Sequence, residues 1–358
     1  FDLNKYEDVI AGNTNQAGED CRNVARFSGL LAGLPISTGG ITINRLCGSS
    51  MAAALDAARA VRCNEGDLFI AGGVESMSRA PLVLSKATSA FDRGQQLTDT
   101  TIGARFTNPK IIHAFGEHTM PQTADNIASD LGIKREQCDL FAAHSQTKYQ
   151  AAKKAGLIAA QIIPIEVAQG RKKPAVIISE DEHPRADSTI EVLAGLRTLA
   201  NNGVVTAGNA SGLNDGAAAI IIGSPAVGEK YGVAAKARIL SGAIAGVEPR
   251  TMGLGPVPAS QKALARAGLS IDQMDVIEIN EAFAVQVLGC LQLLGIDFND
   301  SRVNANGGAI AVGHPLGASG ARIIQNALTQ LETNQGRYAL VTMCIGIGQG
   351  IAVIIERV

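Results

Sequence analysis

Asp8-Val9-Ile10-Ala11 and Asp275-Val276-Ile277-Glu278-Ile279 open two separate stretches in which apolar, strand-like runs alternate with helical segments in the same order. In the first stretch, Asp8 to Ala11 and Ile41 to Ile43 read as strands and Cys21 to Leu31 as a helix. Ser49 to Arg62 is an Ala-rich helix free of Pro and Gly. Asp67 to Ala71 is a further strand, closed by Gly72-Gly73. In the second stretch, Ala282 to Leu294 and Ala318 to Leu331 read as helices, Tyr338 to Met343 and Ile351 to Ile355 as strands. Strands that are apolar on every residue need cover on both faces. The alternation therefore predicts an α/β fold built from two copies of one unit, each with a mostly parallel sheet.

Between the copies the chain turns more polar and less regular, with helices over Thr123 to Asp130 and Glu136 to Ala155 and a basic cluster at Arg171-Lys172-Lys173. A segment this long folds as an inserted layer rather than as a loop. Asp215 to Gly223 is strand-like again and resumes the first copy; a helix follows at Pro258 to Ala267. The division expected is 1–78 plus 215–235 for the first half, 79–214 for the insertion and 236–358 for the second half.

Charge narrows the partners. The 31 Lys+Arg nearly balance the 33 Asp+Glu, which leaves no electrostatic case for nucleic acid or a membrane surface. The uncharged tract Ala339 to Ile355 is short for a membrane span and rich in glycine, and reads as two strands joined by a tight turn. Six scattered cysteines without a CxxC indicate neither a disulfide framework nor a cysteine-built zinc site, and fit a reducing, cytoplasmic setting.

Candidate chemistry gathers at strand ends. Cys47 stands between the strand Ile41 to Ile43 and the helix from Ser49, beside Gly48. There the helix dipole and unpaired N–H groups lower a thiol's pKa and make thiolate available near neutrality. Position alone allows a nucleophile or a small buried thiol. Gly307 to Gly320, GGAIAVGHPLGASG, sets His314 in a glycine-lined stretch where it can take a proton from a thiol or simply bond to backbone. Five histidines without H-x₃-H or H-E-x-x-H spacing disfavour zinc. Cys344 ends a strand, at roughly the place Gly72-Gly73 holds in the first copy, and Asn280 follows another strand as a crevice residue or a helix N-cap. If the copies pack about a pseudo-twofold axis, these strand ends share one crevice. Gly346-Ile347-Gly348-Gln349-Gly350 lacks G-x-G-x-x-G spacing, so a dinucleotide is not indicated.

Six ordered stretches carry a resemblance to a known family: Asn44-Arg45-Leu46-Cys47-Gly48-Ser49-Ser50, Gly72-Gly73-Val74-Glu75-Ser76-Met77-Ser78, Val205-Thr206-Ala207-Gly208-Asn209-Ala210-Ser211-Gly212, Asn280-Glu281-Ala282-Phe283, Gly307 to Pro315, and Cys344-Ile345-Gly346. Over its whole length the chain resembles the thiolases. The resemblance implies a thiolase-like α/β fold, with two pseudo-twofold-related halves in a five-layered α-β-α-β-α arrangement and an inserted loop domain. It also implies an opening strand and helix of the first half ahead of Phe1. Asn15 to Asp20, Thr100 to Gly103 and Cys344 to Gly350 are similar to the β-ketoadipyl-CoA branch, and Thr119 stands where acetoacetyl-CoA thiolases carry a pocket histidine.

By resemblance, Cys47 attacks a 3-oxoacyl-CoA and holds the shortened acyl group as a thioester, while His314 takes its proton. Cys344, with a pKa near neutrality, protonates the departing acetyl-CoA enolate. One oxyanion falls to His314 and a water on Asn280, the other to the backbone N–H groups of Cys47 and Gly346. CoA and acetyl-CoA are substrates, with no metal and no tightly bound cofactor. Ser211 meets the pantetheine, Arg185 flanks the adenine, and Met120 and Phe283 wall the acyl pocket. Arg171 to Lys173 is a phosphate neighbour or a solvated cluster, and Val192 replaces a serine that helps hold the nucleotide in some relatives. Arg105 and His118 are the candidates for meeting a distal carboxylate. Homodimers and homotetramers are common in the family. The alternatives are an acetoacetyl-CoA or general 3-ketoacyl-CoA thiolase and, from another class, a CoA-binding scaffold without activity.

Overall fold

The apolar runs form two four-stranded sheets, and the helices settle in layers between and outside them. The computed structural model describes residues 1–171 and 173–358. Its first stretch holds β1 (Asp8–Gly12), α1 (Val24–Leu31), β2 (Ile41–Ile43), α2 (Ser49–Arg62) and β3 (Leu68–Ser76). Residues 77–214 carry β4 (Leu82–Leu84), β5 (Leu97–Asp99), α3 (Pro109–Phe115), α4 (Met120–Leu131), α5 (Arg135–Lys154), β6 (Ile165–Val167), β7 (Val176–Ile178) and α6 (Ile190–Ala194). The remainder is β8 (Asp215–Gly223), α7 (Pro225–Tyr231), β9 (Ala237–Gly246), α8 (Pro256–Ala267), β10 (Val276–Ile279), α9 (Ala284–Leu294), α10 (Ala309–Val312), α11 (Leu316–Asn334), β11 (Tyr338–Ile345) and β12 (Gln349–Arg357).

One sheet runs β2-β1-β3-β8 and the other β10-β11-β12-β9. In both, the pair at the start of the repeated unit is parallel (β1 with β3, β10 with β11), and the next strand returns antiparallel (β8 on β3, β12 on β11). The register aligns Val9↔Ile70 with Val276↔Ala339. On that match β8 answers to β12, while β9 has no counterpart beside β8 among the described residues.

Helices α2 and α11 form the middle layer. Met51 and Leu55 of the one and Ile323, Ile324 and Leu331 of the other share a core with Ile10 and Phe69 of the first sheet and Val341, Met343, Ile351 and Val353 of the second. Each such aliphatic side chain, fully withdrawn from water, contributes roughly 1.5–3 kcal/mol. Outside the first sheet lie α1 and α7, through Ala25 and Val227 against Val9 and Leu68. Outside the second lie α8 and α9, joined by Ile127 of α4 and Phe141 of α5. The layers are thus α-β-α-β-α, with the helices of the insertion seated on the second half.

One expectation needs correction. Gly72-Gly73 does not close the strand; β3 runs through both to Ser76. These glycines are there for closeness: a methyl on Gly72 would lie 2.2 Å from the Ala218 carbonyl oxygen, and one on Gly73 would lie 2.0 Å from that of Gly317.

Gly73→Ala therefore forces the first sheet away from α11 and should cost about 1–3 kcal/mol or more, as overpacking does. Gly195→Ala, whose methyl would sit 3.5 Å from the nearest atom, should stay within about 0.5 kcal/mol. Urea denaturation of both variants tests the contrast.

Candidate active site

The turn between β2 and α2 is bent hard to present Cys47. Leu46 has φ of +46°, a left-handed conformation disfavoured for a leucine. Local bonds hold it there: Leu46 N–H donates to Asn44 Oδ1 (2.9 Å), Arg45 N–H donates to Ser49 Oγ (2.9 Å), and the Ser49 hydroxyl donates to Leu46 O (2.6 Å). Gly48 lies so close to the second sheet that a methyl on it would meet Ile345 Cδ1 at 2.6 Å. Cys47 is half-buried, and the backbone N–H groups of Gly346 and of Cys47 itself favour the charged form of its sulfur. Gly346 begins the β11–β12 turn, which Ile347 (φ +63°) and Gly348 (φ +80°) close.

His314 is buried, four per cent exposed, just ahead of α11. Its backbone N–H donates to Asn214 Oδ1 (3.0 Å). Ring Nδ1 lies 2.6 Å from Ser319 Oγ, and the Ser319 hydroxyl donates to Pro315 O (2.9 Å). With the serine proton committed to that carbonyl, Nδ1 is the protonated nitrogen by the logic of the network, and Nε2 is left with its lone pair. Nε2 lies 3.4 Å from Asn280 Nδ2, while Asn280 Oδ1 is buried without a partner. Asn280 is not a helix cap: α9 begins at Ala284 behind Phe283. Its own N–H donates to Thr342 O (3.0 Å), two residues before Cys344 on β11.

The electrostatics overturn one expectation. Burial pushes the Cys47 thiol up to about 11, and Glu75 pushes the same way; the two N–H donors offset only part of this. Withdrawal from water outweighs the helix terminus, so thiolate is scarce at neutral pH. Cys344 departs from its expected near-neutral pKa in the same sense, raised by burial and by the neighbouring Cys47 and Cys290. Burial and the charge of Arg322 bring the His314 imidazole down to about 3, so it is neutral at pH 7.

The strand register also moves Cys344. Counted from the aligned pairs, it answers to Glu75, not to Gly72-Gly73; Asn280 answers to Asn13; and Cys47 and His314 each stand two residues ahead of their helices. Glu75 is itself buried and accepts the N–H groups of Gly317 (2.8 Å), Thr14 (3.1 Å) and Asn15 (3.2 Å), joining the halves. Glu75, Ser319 and Arg322 carry no role in the sequence reading, although Glu75 and Ser319 each lie inside a quoted stretch.

Of the other residues, Ser211 donates both its N–H (3.0 Å) and its hydroxyl (3.2 Å) to Ala282 O, beside the buried Phe283. Met120 opens α4 and packs half-buried on the second-half core. Arg185 is exposed, its N–H on Gln146 Oε1 (3.0 Å), and Val192 is exposed on α6. His118 is exposed; Arg105 is half-buried, with Nη2 donating to Asn15 O (2.9 Å). Arg171 and Lys173 are exposed, and Lys172 lies outside the described residues. Among the described residues no group of three or more His, Cys, Asp or Glu could hold a metal, and no helix is long and apolar enough to cross a membrane.

Comparison with known proteins decides the family. Residues 2–226 match the thiolase N-terminal domain and residues 233–357 the thiolase C-terminal domain. The chain belongs to the thiolase family. It is an acyl-CoA C-acyltransferase that cleaves a 3-oxoacyl-CoA to acetyl-CoA and a shortened acyl-CoA. It is 56% identical over 355 residues to a β-ketoadipyl-CoA thiolase of Acinetobacter baylyi, covering 99% of this chain and 88% of that one. It is also 56% identical to a 3-oxoadipyl-CoA/3-oxo-5,6-dehydrosuberyl-CoA thiolase of Escherichia coli, covering 100% and 89%. The crystal structure of human mitochondrial 3-ketoacyl-CoA thiolase in complex with CoA matches with a TM-score of 0.91 at 39% identity, covering 99% and 87%.

Glu278 offers a test of the buried polar layer between β10 and α11. Burial raises its carboxyl from 4.5 to about 7. A raised pKa means that its contribution to stability is complete below about pH 4.5 and is lost as pH climbs through about 7, some 3 kcal/mol in all. Glu278→Gln should flatten the fall in stability across that window. Urea midpoints at pH 5 and pH 8 measure it.

Proposed function

We propose that this chain is a 3-oxoadipyl-CoA thiolase, yielding succinyl-CoA and acetyl-CoA, with Cys47 as the nucleophile. The observation that carries the catalytic reading is the strained turn at Leu46 (φ +46°), which three local hydrogen bonds hold and which sets Cys47 ahead of α2, with Gly48 packed against Ile345 next to the Gly346 N–H. Donors so placed favour the charge that appears on a carbonyl oxygen when the sulfur attacks beneath it. His314 takes the thiol proton on Nε2, and its Nδ1 bond to Ser319 fixes the tautomer that can do so. Cys344 exchanges a proton with the acetyl-CoA α-carbon. The unpartnered Asn280 Oδ1 orders a water which, with His314, faces the enolate oxygen. CoA lies along the insertion, with Ser211 at the pantetheine, Arg185 at the adenine, and Met120 and Phe283 about the acyl chain.

The dicarboxylyl substrate is supported by the names of the two bacterial relatives and by the place of Arg105. It is tied to Asn15, whose N–H reaches Glu75, the charge that acts on Cys47. Among the described residues one guanidinium nitrogen of Arg105 has a hydrogen-bond partner, which leaves the rest of the fork to a carboxylate. His118, exposed on its loop, is the weaker candidate.

The division into 1–78 plus 215–235, 79–214 and 236–358 is retained as part of this reading. Apolar side chains standing out on β4 and β5 (Leu82, Leu84 and Leu97) and Phe91, fully exposed, support a homodimer or homotetramer. Six free cysteines fit the cytoplasm.

Acetyl-CoA should leave an acetyl group on Cys47, located by peptide mass, and Cys47→Ala should release no burst of CoA. A label found only on another cysteine would end the assignment. With free CoA held constant, kcat/KM for 3-oxoadipyl-CoA should exceed that for 3-oxohexanoyl-CoA by about one to three orders of magnitude. Arg105→Met should erase most of that difference. Equal values in the wild type leave thiolase activity but remove the dicarboxylate, and preference for acetoacetyl-CoA assigns the chain to that class instead.

A further inference from the structure

We propose that Arg45 and Gln349 are positioning residues for acyl transfer: the hydrogen bond between them locks the turn that carries Cys47 to the turn that carries the Gly346 N–H, and so sets where the sulfur stands beneath its oxyanion donors. The proposal rests on the roles given above to Cys47 and Gly346, and names what holds the two turns in register.

The two turns come from different halves of the molecule, and each contains a strained residue. Leu46 (φ +46°) precedes Cys47, and Ile347 (φ +63°) follows Gly346. A residue other than glycine persists in that region only where its surroundings hold it. Where the turns face each other the contact is apolar. A methyl on Gly48 would meet Ile345 Cδ1 at 2.6 Å and Ile351 Cγ2 at 3.0 Å, and one on Gly346 would lie 3.3 Å from Leu46 Cδ1. Such contacts limit how near the turns come. Being non-directional, they do not fix how one slides along the other. Arg45 Nη1 donates to Gln349 Oε1 across this seam (3.2 Å). Among the described residues it is the one hydrogen bond between nitrogen and oxygen that joins residues 44–49 to residues 345–350.

Both ends of that bond are anchored. The Arg45 N–H donates to Ser49 Oγ (2.9 Å) and the Arg45 carbonyl accepts the Gly48 N–H (3.1 Å), so its backbone brackets Cys47 and a pull on the guanidinium is a pull on the turn. Gln349 is the fixed end. It pairs with Ile345 of β11 and with Gly246 of β9, and its carbonyl oxygen lies 2.1 Å from where a methyl on Gly255 would be. Gly346 stands three residues before it, at the other side of the β11–β12 turn. Arg45 is half-buried, and its Nε is shielded from water without a partner. An arginine lying out in solvent would keep that N–H hydrated, so the side chain is drawn in by its far end. The geometry matters because the sulfur attacks a carbonyl whose oxygen must fall within about 3 Å of the backbone donors as its charge develops. A slip of about 1 Å between such groups costs on the order of a hundredfold in rate. Loss of the bond frees the turns to slide, and leaves the surfaces that bind CoA untouched.

The test is the first half-reaction, followed by rapid quenching after the whole chain is mixed with acetyl-CoA. It yields the rate constant for CoA release as Cys47 takes the acetyl group, and the half-saturating concentration. Arg45→Met and Gln349→Met should each slow that step by about 10- to 100-fold. The half-saturating concentration should stay within about twofold, as for an interaction that acts in the transition state alone. The double variant should be no slower than the slower single one, because the same contact is lost in all three. Gln349→Glu keeps an acceptor for the guanidinium and should stay within about threefold of the wild type. A merely structural role would lower the melting temperature and leave the rate constant alone. A full-speed Gln349→Met overturns the proposal. So do losses that multiply in the double variant, or a shifted half-saturation with an unchanged rate. If Arg45→Met does not fold, Gln349→Met against Gln349→Glu decides the matter, and equal losses in those two count against the bond. A wild type that releases no CoA, or carries its acetyl group elsewhere than on Cys47, refutes the functional assignment. A normal burst in the wild type and in Gln349→Met alike refutes only the positioning role.

Discussion

Everything in the site depends on how closely the first turns of α2 and α11 cross. A methyl on Gly12 would lie 2.6 Å from Ser50 N and 2.7 Å from Gly317 O; one on Gly320 would lie 2.5 Å from Met51 N. The Ser50 hydroxyl takes the Ala321 N–H across the gap (2.9 Å). Backbone on backbone at this distance leaves no slack between the sheets, which is why the loops feeding the two helices end up side by side. Cys47 and His314 are each carried on one of those loops.

Duplication supplies the positions and divergence supplies the chemistry. One copy carries Asn13, Cys47 and Glu75, and the other carries Asn280, His314 and Cys344 at matching places. Asn13 and Glu75 became fasteners: the Asn13 amide donates to Val74 O (2.9 Å), and Glu75 spans to Gly317. Their counterparts face the crevice with an unpartnered oxygen and a thiol. A symmetric scaffold thus gives a site whose two sides differ in charge and in proton-carrying groups.

The elements whose signals are local were legible in the sequence. Ser49–Arg62 and Asp215–Gly223 have the bounds that their residues imply, since an Ala-rich run without Gly or Pro and an apolar run between Asp and Gly each set their own ends. Gly72-Gly73 misled because a glycine pair signals a turn when read locally, yet serves close approach when a carbonyl from elsewhere lies 2.0 Å from where a methyl would be. The same limit explains the site. Cys47 and His314 stand in recognisable loops, but the direction of their pKa shifts depends on burial and on Glu75 and Arg322, which sequence distance hides. Ser319 was invisible for a related reason: its role depends on a ring rotated back over the helix start.

Strand β8 has a consequence for handling the chain. It pairs with β3 on one side, and among the described residues no strand lies on the other, so a nine-residue row of backbone donors and acceptors faces outward, with Ile221 half exposed on it. An open edge of that length is a template for foreign strands. That row is where a further strand, from this chain or from a second copy, would extend the sheet.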